Sequence, residues 1–398
     1  MSRTIPILPA QPQATPGTLE FRKSPALSLY VHIPWCVRKC PYCDFNSHEA
    51  DGGIPEREYV DALIADLQSA LPLIWGRPVV SVFFGGGTPS LLSPAAIDEL
   101  LAAFRALAML SPEAEVTLEA NPGTVEAAKF AGFRSAGVNR LSLGIQSFND
   151  AHLQALGRIH GAAEARQAAQ LAREHFERFN LDLMYGLPGQ TMAQALDDLE
   201  TALSFAPTHL SCYQLTLEPN TRFAAFPPEL PESDLCADMQ EAIETRLATT
   251  GYANYETSAF AQAGKQCLHN LNYWHFGDYL GIGAGAHSKL TLHDRVLRQM
   301  RHKHPRAYLE NVRAGTPIQE ENQVDAASLP FEFMMNALRL AEGFAPSLFE
   351  LRTSQPISVI LPQLKAAQAE GLLSISPEKI APTQKGRRFL NVLLEKFL

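Results

Sequence analysis

Three cysteines that fall within eight residues are the side chains of this chain best suited to chemistry. Cys36, Cys40 and Cys43 have the spacing C-x3-C-x2-C. Three thiolates can hold three irons of a 4Fe-4S cluster, while the fourth iron stays open to another ligand. A structural zinc site is the alternative, because zinc needs a fourth Cys or His and His48 lies close enough in sequence to provide it. The spacing therefore predicts a metal centre in this loop.

A glycine-rich turn after the next apolar segment could hold a small polar ligand. It reads Gly-Gly-Gly-Thr-Pro at 85–89. Without β-carbons, the backbone can approach a ligand closely and offer its amide and carbonyl groups. A triple glycine alone is equally typical of a tight turn, so it is the cysteines that favour a binding role here.

These residues need a scaffold, and the hydrophobic pattern predicts one. From residue 26, short strand-like apolar runs alternate with helical stripes, as in a parallel sheet built from β/α units. We predict six strands, at 26–33, 79–84, 115–119, 140–145, 180–185 and 209–215. Ser93, Thr124 and Thr191 have the residue types of helix N-caps. Six units are fewer than the eight of a closed barrel, which predicts an α/β fold: an open (partial) parallel β/α barrel or a doubly wound sheet, with ligands at the carboxyl ends of the strands.

The rhythm of strands and helices stops after about residue 300. Helical segments at 329–340, 348–351, 359–369 and 385–397 predict a smaller, mostly helical C-terminal domain. We therefore expect four parts: a flexible proline-rich tail at 1–25, the partial barrel with its site at 26–255, a segment closing the barrel at 256–300, and the C-terminal domain at 301–398. A Gly-x-Gly-x-Gly segment at 281–285 fits a close-packed turn lining the site better than a dinucleotide motif, since no strand-turn-helix unit surrounds it.

Composition and charge exclude several classes of protein. The chain is 46% hydrophobic and 19% charged, as in ordinary globular proteins. Its apolar runs are too short for a membrane span or a signal peptide, which predicts a cytoplasmic protein. A net charge of -9 argues against a nucleic acid as the main partner. The basic stretch at 295–306 is interpreted as the solvated face of a helix, with contact to RNA or another anion as the alternative.

Taken together, the three-cysteine spacing and the glycine-rich turn resemble the radical S-adenosylmethionine (SAM) family. The resemblance implies a 4Fe-4S cluster on Cys36, Cys40 and Cys43, whose open iron binds the amino and carboxylate groups of SAM. It also implies SAM contacts from the matching positions, which are Tyr30, Tyr42, Gly86, Gly87, Thr88, Glu119, Gln146, Arg158 and Asp182. Carboxylates can receive ribose hydroxyls or an ammonium, and arginine can pair with a carboxylate, so these types suit a zwitterionic nucleoside.

Further motifs narrow the resemblance to one branch of that family. They occur in order at 30–36 (Y-V-H-I-P-W-C), 119–124 (E-A-N-P-G-T), 144–149 (G-I-Q-S-F-N) and 182–191 (D-L-M-Y-G-L-P-G-Q-T). The branch contains oxygen-independent coproporphyrinogen III oxidases and heme chaperones, and the resemblance runs from residue 26 to the C-terminus. In the oxidases another cysteine follows the third cluster cysteine by two residues, and the N-terminal extension is longer. Phe45 takes that position here, and both departures count against oxidase activity.

A segment at 269–274, H-N-L-N-Y-W, resembles the H-N-x-x-Y-W heme-binding motif of the chaperones in this branch. The resemblance implies heme contact by His269, Tyr273 and Trp274. Imidazole is a common axial ligand of heme iron, and aromatic rings provide flat apolar surface. Without the resemblance, a histidine beside aromatic residues is more often a satisfied core or surface residue. Cys267 is a rival ligand two residues away.

The expected function is that of a heme chaperone, which binds heme and transfers it to acceptor hemoproteins with the help of its cluster and SAM. No catalytic residue is assigned. The alternatives are an oxygen-independent coproporphyrinogen III oxidase and, from the basic stretch alone, radical modification of RNA. The resemblance implies heme and acceptor apo-hemoproteins as partners, respiratory-chain proteins near the membrane among the candidates. It leaves a homodimer open and predicts no specific nucleic acid.

Overall fold

The computed structural model describes residues 19–50, 52–124 and 127–398, so the predicted tail lies outside these ranges up to residue 18. The strands in the described ranges are β1 Leu27–Ile33, β2 Trp35–Cys36, β3 His48–Glu49, β4 Pro78–Gly86, β5 Met109–Ala120, β6 Arg140–Gln146, β7 Phe179–Tyr185, β8 His209–Gln214, β9 Ala253–Glu256, β10 Ala259–Ala261, β11 Asp278–Ile282, β12 His287–Thr291, β13 Val296–Arg301, β14 Ile318–Gln323, β15 Leu373–Ile375 and β16 Ile380–Pro382. The α-helices there are α1 Glu56–Ile74, α2 Pro94–Leu107, α3 Ala127–Ala136, α4 Asp150–Ala155, α5 Ala162–His175, α6 Met192–Ser204, α7 Arg222–Ala225, α8 Ser233–Thr249, α9 Leu268–Trp274, α10 Pro305–Arg313, α11 Leu329–Ala337, α12 Pro346–Thr353, α13 Leu361–Ala369, α14 Gln384–Arg388 and α15 Leu390–Glu395. Short 3-10 helices lie at Pro89–Leu91, Pro122–Thr124 and Ile357–Ile360.

All six predicted strands form and pair in parallel in the order β1, β4, β5, β6, β7, β8. The sheet continues at both ends, where β11 pairs in parallel with β1 and β10 pairs antiparallel with β8. In the described residues the two outermost strands, β14 and β9, do not pair with each other. This arrangement confirms the α/β class with an open, partial barrel rather than a closed one.

The strands have one apolar and one polar face, because side chains alternate along a strand. On β1, Leu27, Leu29 and Val31 belong to the main apolar cluster together with Tyr59 and Leu63 of α1. Fully burying each such aliphatic side chain contributes about 1.5 to 3 kcal/mol. The intervening positions of β1 to β8 carry mostly polar side chains, so the concave inner face of the sheet is available for a polar site.

Two of the three predicted helix caps form as expected. The Ser93 hydroxyl accepts a hydrogen bond from the Ala96 amide and Pro94 occupies the first turn of α2. Thr191 and Gln194 form a reciprocal capping box at α6. The side chain of Thr124 lies outside the part of the chain that the structure describes. Ser93 and Thr191 thus fix the starts of α2 and α6, which follow the loops after β4 and β7.

The C-terminal region has an apolar core of its own, formed chiefly by α11, α12, α13 and α15 with β15 and β16. The predicted helical segments correspond to these helices, whereas β15 and β16 were not expected. The sheet itself continues past the predicted boundary at residue 300, since β14 pairs with β13 and extends the sheet to Gln323. The four-part division of the chain therefore stays a prediction. None of the helices in the described ranges is long and apolar enough to cross a membrane.

The interpretation of 295–306 as a solvated helix face is wrong. Residues Val296–Arg301 form strand β13, which pairs on both sides. Arg298 pairs with Glu332, and Arg301 is fully buried in an ion pair with Asp66 of α1. A buried guanidinium needs such a partner, because desolvation of an unpaired charge is costly. Arg298 and Arg301 are thus engaged in structural ion pairs, and the buried Arg301 is unavailable to an external anion.

Candidate functional site

A pocket of about 400 Å³ opens at the carboxyl ends of the parallel strands. It is lined by all three clustered cysteines and by every predicted SAM residue except Tyr30, namely Cys36, Cys40, Cys43, Tyr42, Gly86, Gly87, Thr88, Glu119, Gln146, Arg158 and Asp182. These residues come from points up to 146 positions apart in the chain (182 minus 36). Their convergence in one pocket is the arrangement that strand order and strand ends predict.

The cysteine loop leaves β1 and folds back on itself through the short β2 and β3 pair. All three thiols are half-buried, and burial raises the pKa of the Cys36 and Cys43 thiols. Bound iron would reverse that effect by stabilising the thiolates. Within the described ranges, no three His, Cys, Asp or Glu side chains lie close enough to hold one metal ion. A cluster places each thiolate on a different iron, so the donor set fits a cluster better than a single zinc ion.

His48, the fourth ligand that the zinc alternative needs, does not lie with the three cysteines. His48 does not line the pocket but lies in a separate surface cleft, where its ring is 5.2 Å from the ring of His304. Its position follows from β3, which turns the chain away from the three cysteines after Cys43. The loop therefore offers three protein ligands to a metal centre, as the cluster interpretation expects.

The glycine-rich turn is hydrogen-bonded directly to the chain leading into the cysteine loop. The amides of Gly87 and Thr88 donate to the carbonyls of Ile33 and Trp35, each at 2.7 Å. A β-carbon on Gly87 would lie 2.4 Å from the Trp35 carbonyl oxygen. Gly86 has φ +111°, a backbone conformation that L side chains rarely adopt. Glycine at these two positions is thus what allows the turn to pack against the loop.

Two half-buried carboxyl groups, Glu119 and Asp182, face the pocket from β5 and β7. Burial, with a smaller contribution from Asp182, raises the pKa of Glu119 to about 8, although a hydrogen bond from the Gly86 amide opposes the shift. Burial also raises the pKa of Asp182, which accepts a hydrogen bond of 2.7 Å from Asn180 Nδ2. The raised pKa values favour the neutral form of both groups, whose carboxyl oxygens can still accept hydrogen bonds from hydroxyl or ammonium donors in the pocket.

Arg158 links the cysteine loop to the ends of two strands. Its Nη2 donates to Asn121 Oδ1 at 2.5 Å and to the Gly144 carbonyl at 2.8 Å, and its Nη1 lies 3.5 Å from Cys40 Sγ. Nε is buried and finds no hydrogen-bond partner among the described residues. Nearby Gln146 ends β6 with φ +69°, which is uncommon for a residue other than glycine. The guanidinium is thus fixed as a cation beside the thiols.

Tyr30 lies beneath the pocket rather than on its wall. A β-carbon on Gly85 would meet the Tyr30 ring at 3.0 Å and a Glu119 carboxylate oxygen at 3.2 Å. The Tyr30 hydroxyl is 3.1 Å from His32 Nδ1. Tyr30 therefore packs against Gly85, next to the pocket residue Glu119, and is not itself among the described residues that line the pocket.

The predicted heme residues lie together on α9, which fills the inner face of the sheet below the pocket. The His269 ring stacks on Phe83 at 4.7 Å, and burial lowers its pKa to about 3. The Tyr273 ring stacks on Tyr279 at 4.2 Å, and Arg339 lies 5.1 Å from the Trp274 ring centroid. None of the three is among the described residues that line the pocket, whereas Asn270 of the same helix is.

Glu115 of β5 holds the start of α9 in this position. Its Oε1 accepts hydrogen bonds from the amides of Leu268 and His269 at 2.9 and 3.3 Å. The same oxygen is 3.4 Å from the thiol of Cys267, and burial raises the pKa of that thiol to about 12. Cys267 is therefore a protonated, enclosed side chain in this conformation, which weakens it as a rival heme ligand.

Sequence reasoning missed several pocket residues on the inner face of the sheet. The pocket is also lined by Asn121, Arg140, Ser142, Asn180, His209 and Ser211. The available signal was the alternation of polar residues with buried apolar ones, at Arg140 and Ser142 in β6, Asn180 and Asp182 in β7, and His209 and Ser211 in β8. Alternation of this kind predicts a polar face, but only the topology shows that three such faces converge.

The Glu119 carboxyl should make the stability of the ligand-free protein depend on pH. The folded state, with pKa about 8 for Glu119, retains a proton that the unfolded chain releases above about pH 4.5. Raising the pH from 5 to 8 should therefore lower the free energy of unfolding. The largest decrease expected is about 3 kcal/mol, since each pH unit contributes at most about 1.4 kcal/mol. Urea unfolding at both pH values should show a smaller loss for Glu119→Gln than for the wild type. Equal losses in the two proteins would contradict the assignment.

Comparison with known proteins agrees with this geometry. The Radical SAM superfamily matches residues 30–202 and the HemN C-terminal domain matches residues 324–389. The heme chaperone HemW of Escherichia coli is 50% identical over 94% of this chain and 99% of its own length, and HemW of Haemophilus influenzae has the same identity and coverage. Among solved structures, coproporphyrinogen III oxidase HemN of Escherichia coli, a radical SAM enzyme, matches with TM-score 0.79 and 25% identity over 94% of this chain and 90% of its own. The superfamily implies a 4Fe-4S cluster and SAM. By its identity to relatives over almost their entire length, the chain belongs to the HemW family of radical SAM proteins.

Proposed function

We propose that this protein is a heme chaperone, which binds heme and transfers it to acceptor hemoproteins. The observation that carries the proposal is the 50% identity to two heme chaperones over 94% of the chain and 99% of each relative. An alignment of this extent covers the pocket, α9 and the C-terminal region together. Heme binding is thus proposed for the whole protein and not for one isolated motif.

The pocket is proposed to hold the cluster and SAM side by side. Cys36, Cys40 and Cys43 would bind three irons, and the fourth iron would bind SAM and supply an electron to its sulfonium. Glu119 and Asp182 would receive ribose hydroxyls or the ammonium, and Arg158 would balance negative charge beside Cys40. The Gly86 to Thr88 turn would offer its backbone, with Gln146 and Tyr42 completing the wall and Tyr30 packing against Gly85.

Phe45 is the residue that distinguishes this proposal from the oxidase alternative. Its side chain lines the pocket mouth and is 59% exposed. Phenylalanine cannot supply the additional thiol that the resemblance assigns to the oxidases at this position. It adds apolar surface to the mouth instead, which suits contact with a macrocycle. The similarity of fold to HemN keeps the oxidase as the second candidate.

Heme contact is proposed at α9, through His269, Tyr273 and Trp274. The low pKa of His269 keeps its imidazole neutral at pH 7, the form that binds iron. Because the ring is stacked on Phe83 and the helix start is held by Glu115, axial ligation requires α9 to shift away from the sheet. The helix has seven residues, so Glu115 is a substantial part of what holds it.

Anaerobic cluster reconstitution followed by heme titration tests the proposal. The wild type should bind heme stoichiometrically with a Soret shift, and His269→Ala should weaken binding by at least tenfold through loss of the axial ligand. His293→Ala, whose side chain is 85% exposed in a loop between β12 and β13, is the matched control and should bind like the wild type. Coproporphyrinogen turnover is assayed in the same samples. Turnover without heme binding would reject the chaperone in favour of the oxidase.

The proposed partners are acceptor apo-hemoproteins, with respiratory-chain proteins near the membrane among the candidates. The proposed location is the cytoplasm, and a homodimer is left open. Arg298 pairs with Glu332, Arg301 with Asp66, and the exposed Arg306 with Glu310, so no specific nucleic acid is proposed. Transfer would be measured as the appearance of the acceptor's own heme spectrum after mixing. An acceptor that takes up free heme equally fast would gain nothing from the chaperone.

A further inference from the structure

Asn46 joins the cysteine loop to a distant part of the sheet. It follows Cys43 by three residues, and its Nδ2 donates to two backbone carbonyls, Ala284 at 3.0 Å and Lys303 at 2.9 Å. Ala284 lies in the turn between β11 and β12, and Lys303 lies between β13 and α10. Both acceptors are more than 230 residues away in sequence, so one side chain connects the loop to two connections of the extended sheet.

The backbone of Asn46 is held as well, by a histidine that also contacts the glycine-rich turn. His32 Nε2 is 2.9 Å from the Asn46 carbonyl, which can only accept, so Nε2 donates. The other ring nitrogen then accepts from the Tyr30 hydroxyl at 3.1 Å. A β-carbon on Gly86 would lie 2.6 Å from the His32 ring. The same imidazole therefore packs against the turn and fixes the cysteine loop.

The carbonyls that receive the Asn46 amide sit on a firmly bonded platform. The Tyr59 hydroxyl accepts from the Ala284 amide at 2.9 Å and donates to the His32 carbonyl at 2.7 Å. Asp66 accepts from the Gly283 amide at 3.2 Å and pairs with the buried Arg301. Since these groups are buried, each lost bond would leave an unsatisfied polar atom. The platform is thus a fixed reference for the loop.

Close packing at Gly285 shows how precisely the Asn46 side chain is placed. Gly285 has φ +77°, and a β-carbon there would lie 2.2 Å from Asn46 Nδ2. Any larger residue at 285 would displace the amide from its two acceptors. The Gly-x-Gly-x-Gly segment at 281–285 is therefore a close-packed turn, as expected, but it packs behind the cysteine loop instead of lining the pocket.

We propose that Asn46 is a positioning residue for the cluster, because its amide fixes the loop of Cys36, Cys40 and Cys43 against the β11 to β13 region. The inference rests on the cluster assigned in the proposed function. Its consequence is that cluster retention depends on residues far outside the segment 30–202 that the superfamily match covers. Loss of the two amide hydrogen bonds would let the loop move relative to the pocket and expose the irons to solvent.

The test compares reconstituted wild type with Asn46→Ala and with Asn46→Asp, which keeps the shape and removes the donor. Release of iron to a chelator such as EDTA should be about tenfold faster in both variants, as loss of two hydrogen bonds allows. The electron paramagnetic resonance signal of the reduced cluster should also change its g values. Asp44→Ala, at an exposed position in the same loop, is the control and should resemble the wild type.

Gly285→Ala supplies an independent arm if the Asn46 variants fold poorly. It should release iron faster by displacing the amide, and combining it with Asn46→Ala should add little further, since both act on one contact. A wild type that takes up no cluster would reject the proposed function. A wild type with a stable cluster and Asn46 variants with unchanged release rate and g values would reject this inference alone. Purely additive effects in the double variant would also overturn it.

Discussion

Cys40→Ser should lose its iron-sulfur cluster altogether, so that reconstitution yields almost no bound iron instead of about four irons per chain. A cluster held by only three thiolates has no spare ligand, and serine is a poor replacement for thiolate. The Cys40 thiol lies on the pocket wall, 3.5 Å from Nη1 of Arg158. Iron and sulfide analysis, with the absorbance of the reconstituted protein, measures the loss.

Cys236→Ser is the matched control for that loss. Cys236 is buried at the start of α8, and its thiol is 3.8 Å from the Pro231 carbonyl, away from the pocket. Serine can keep that hydrogen bond, so this variant should bind iron like the wild type. A Cys40→Ser protein that retains a full cluster would show that the pocket cysteines are not its ligands, and the proposed function would lose its metal centre.

The parallel strands and the residues at their ends could be predicted from the sequence because both signals are local. Each strand is a short apolar run, and each is followed within a few residues by a polar or glycine-rich segment. The carboxyl ends of parallel strands meet at one edge, so Cys36, Gly87, Glu119 and Asp182 had to converge whatever the details of packing. Knowledge of the family added roles to these positions but was not needed to bring them together.

The strands after α9 could not be predicted, because the residues that stabilise them lie far away in the chain. Arg301 looks like part of a basic surface until Asp66, 235 residues earlier, is placed beside it. Arg298 likewise depends on Glu332 and the Tyr279 hydroxyl. A charged residue whose partner is distant in the chain cannot be told from a solvated one by sequence. The stretch 295–306 therefore resembles an exposed helix, although Val296–Arg301 within it forms β13.

The position of α9 was hidden for a related reason. The aromatic motif at 269–274 is recognisable in the sequence. Its residues alone do not show that α9 packs against the inner face of the sheet. Ser81, Phe83 and Glu115 decide that, through contacts with the His269 ring and with the start of the helix. The motif and its burial together imply that heme binding and the packing of the pocket floor are linked.

Gly87→Ala should weaken SAM binding by at least tenfold, about 1.4 kcal/mol, although the change adds one methyl group. The new β-carbon would lie 2.4 Å from the Trp35 carbonyl and 3.0 Å from that of Ile33, and backbone atoms cannot move aside as a side chain can. The turn must therefore shift and give up its hydrogen bonds to these carbonyls, which opens the pocket wall proposed to hold SAM. Calorimetric titration of SAM into reconstituted protein measures the change.

Gly123→Ala, where the nearest atom is a side-chain carbon of Ile159 at 3.3 Å, is the control and should bind SAM nearly as the wild type does. Unchanged affinity in Gly87→Ala would mean that SAM does not contact this turn. The proposed binding role of the glycine-rich turn would then be rejected.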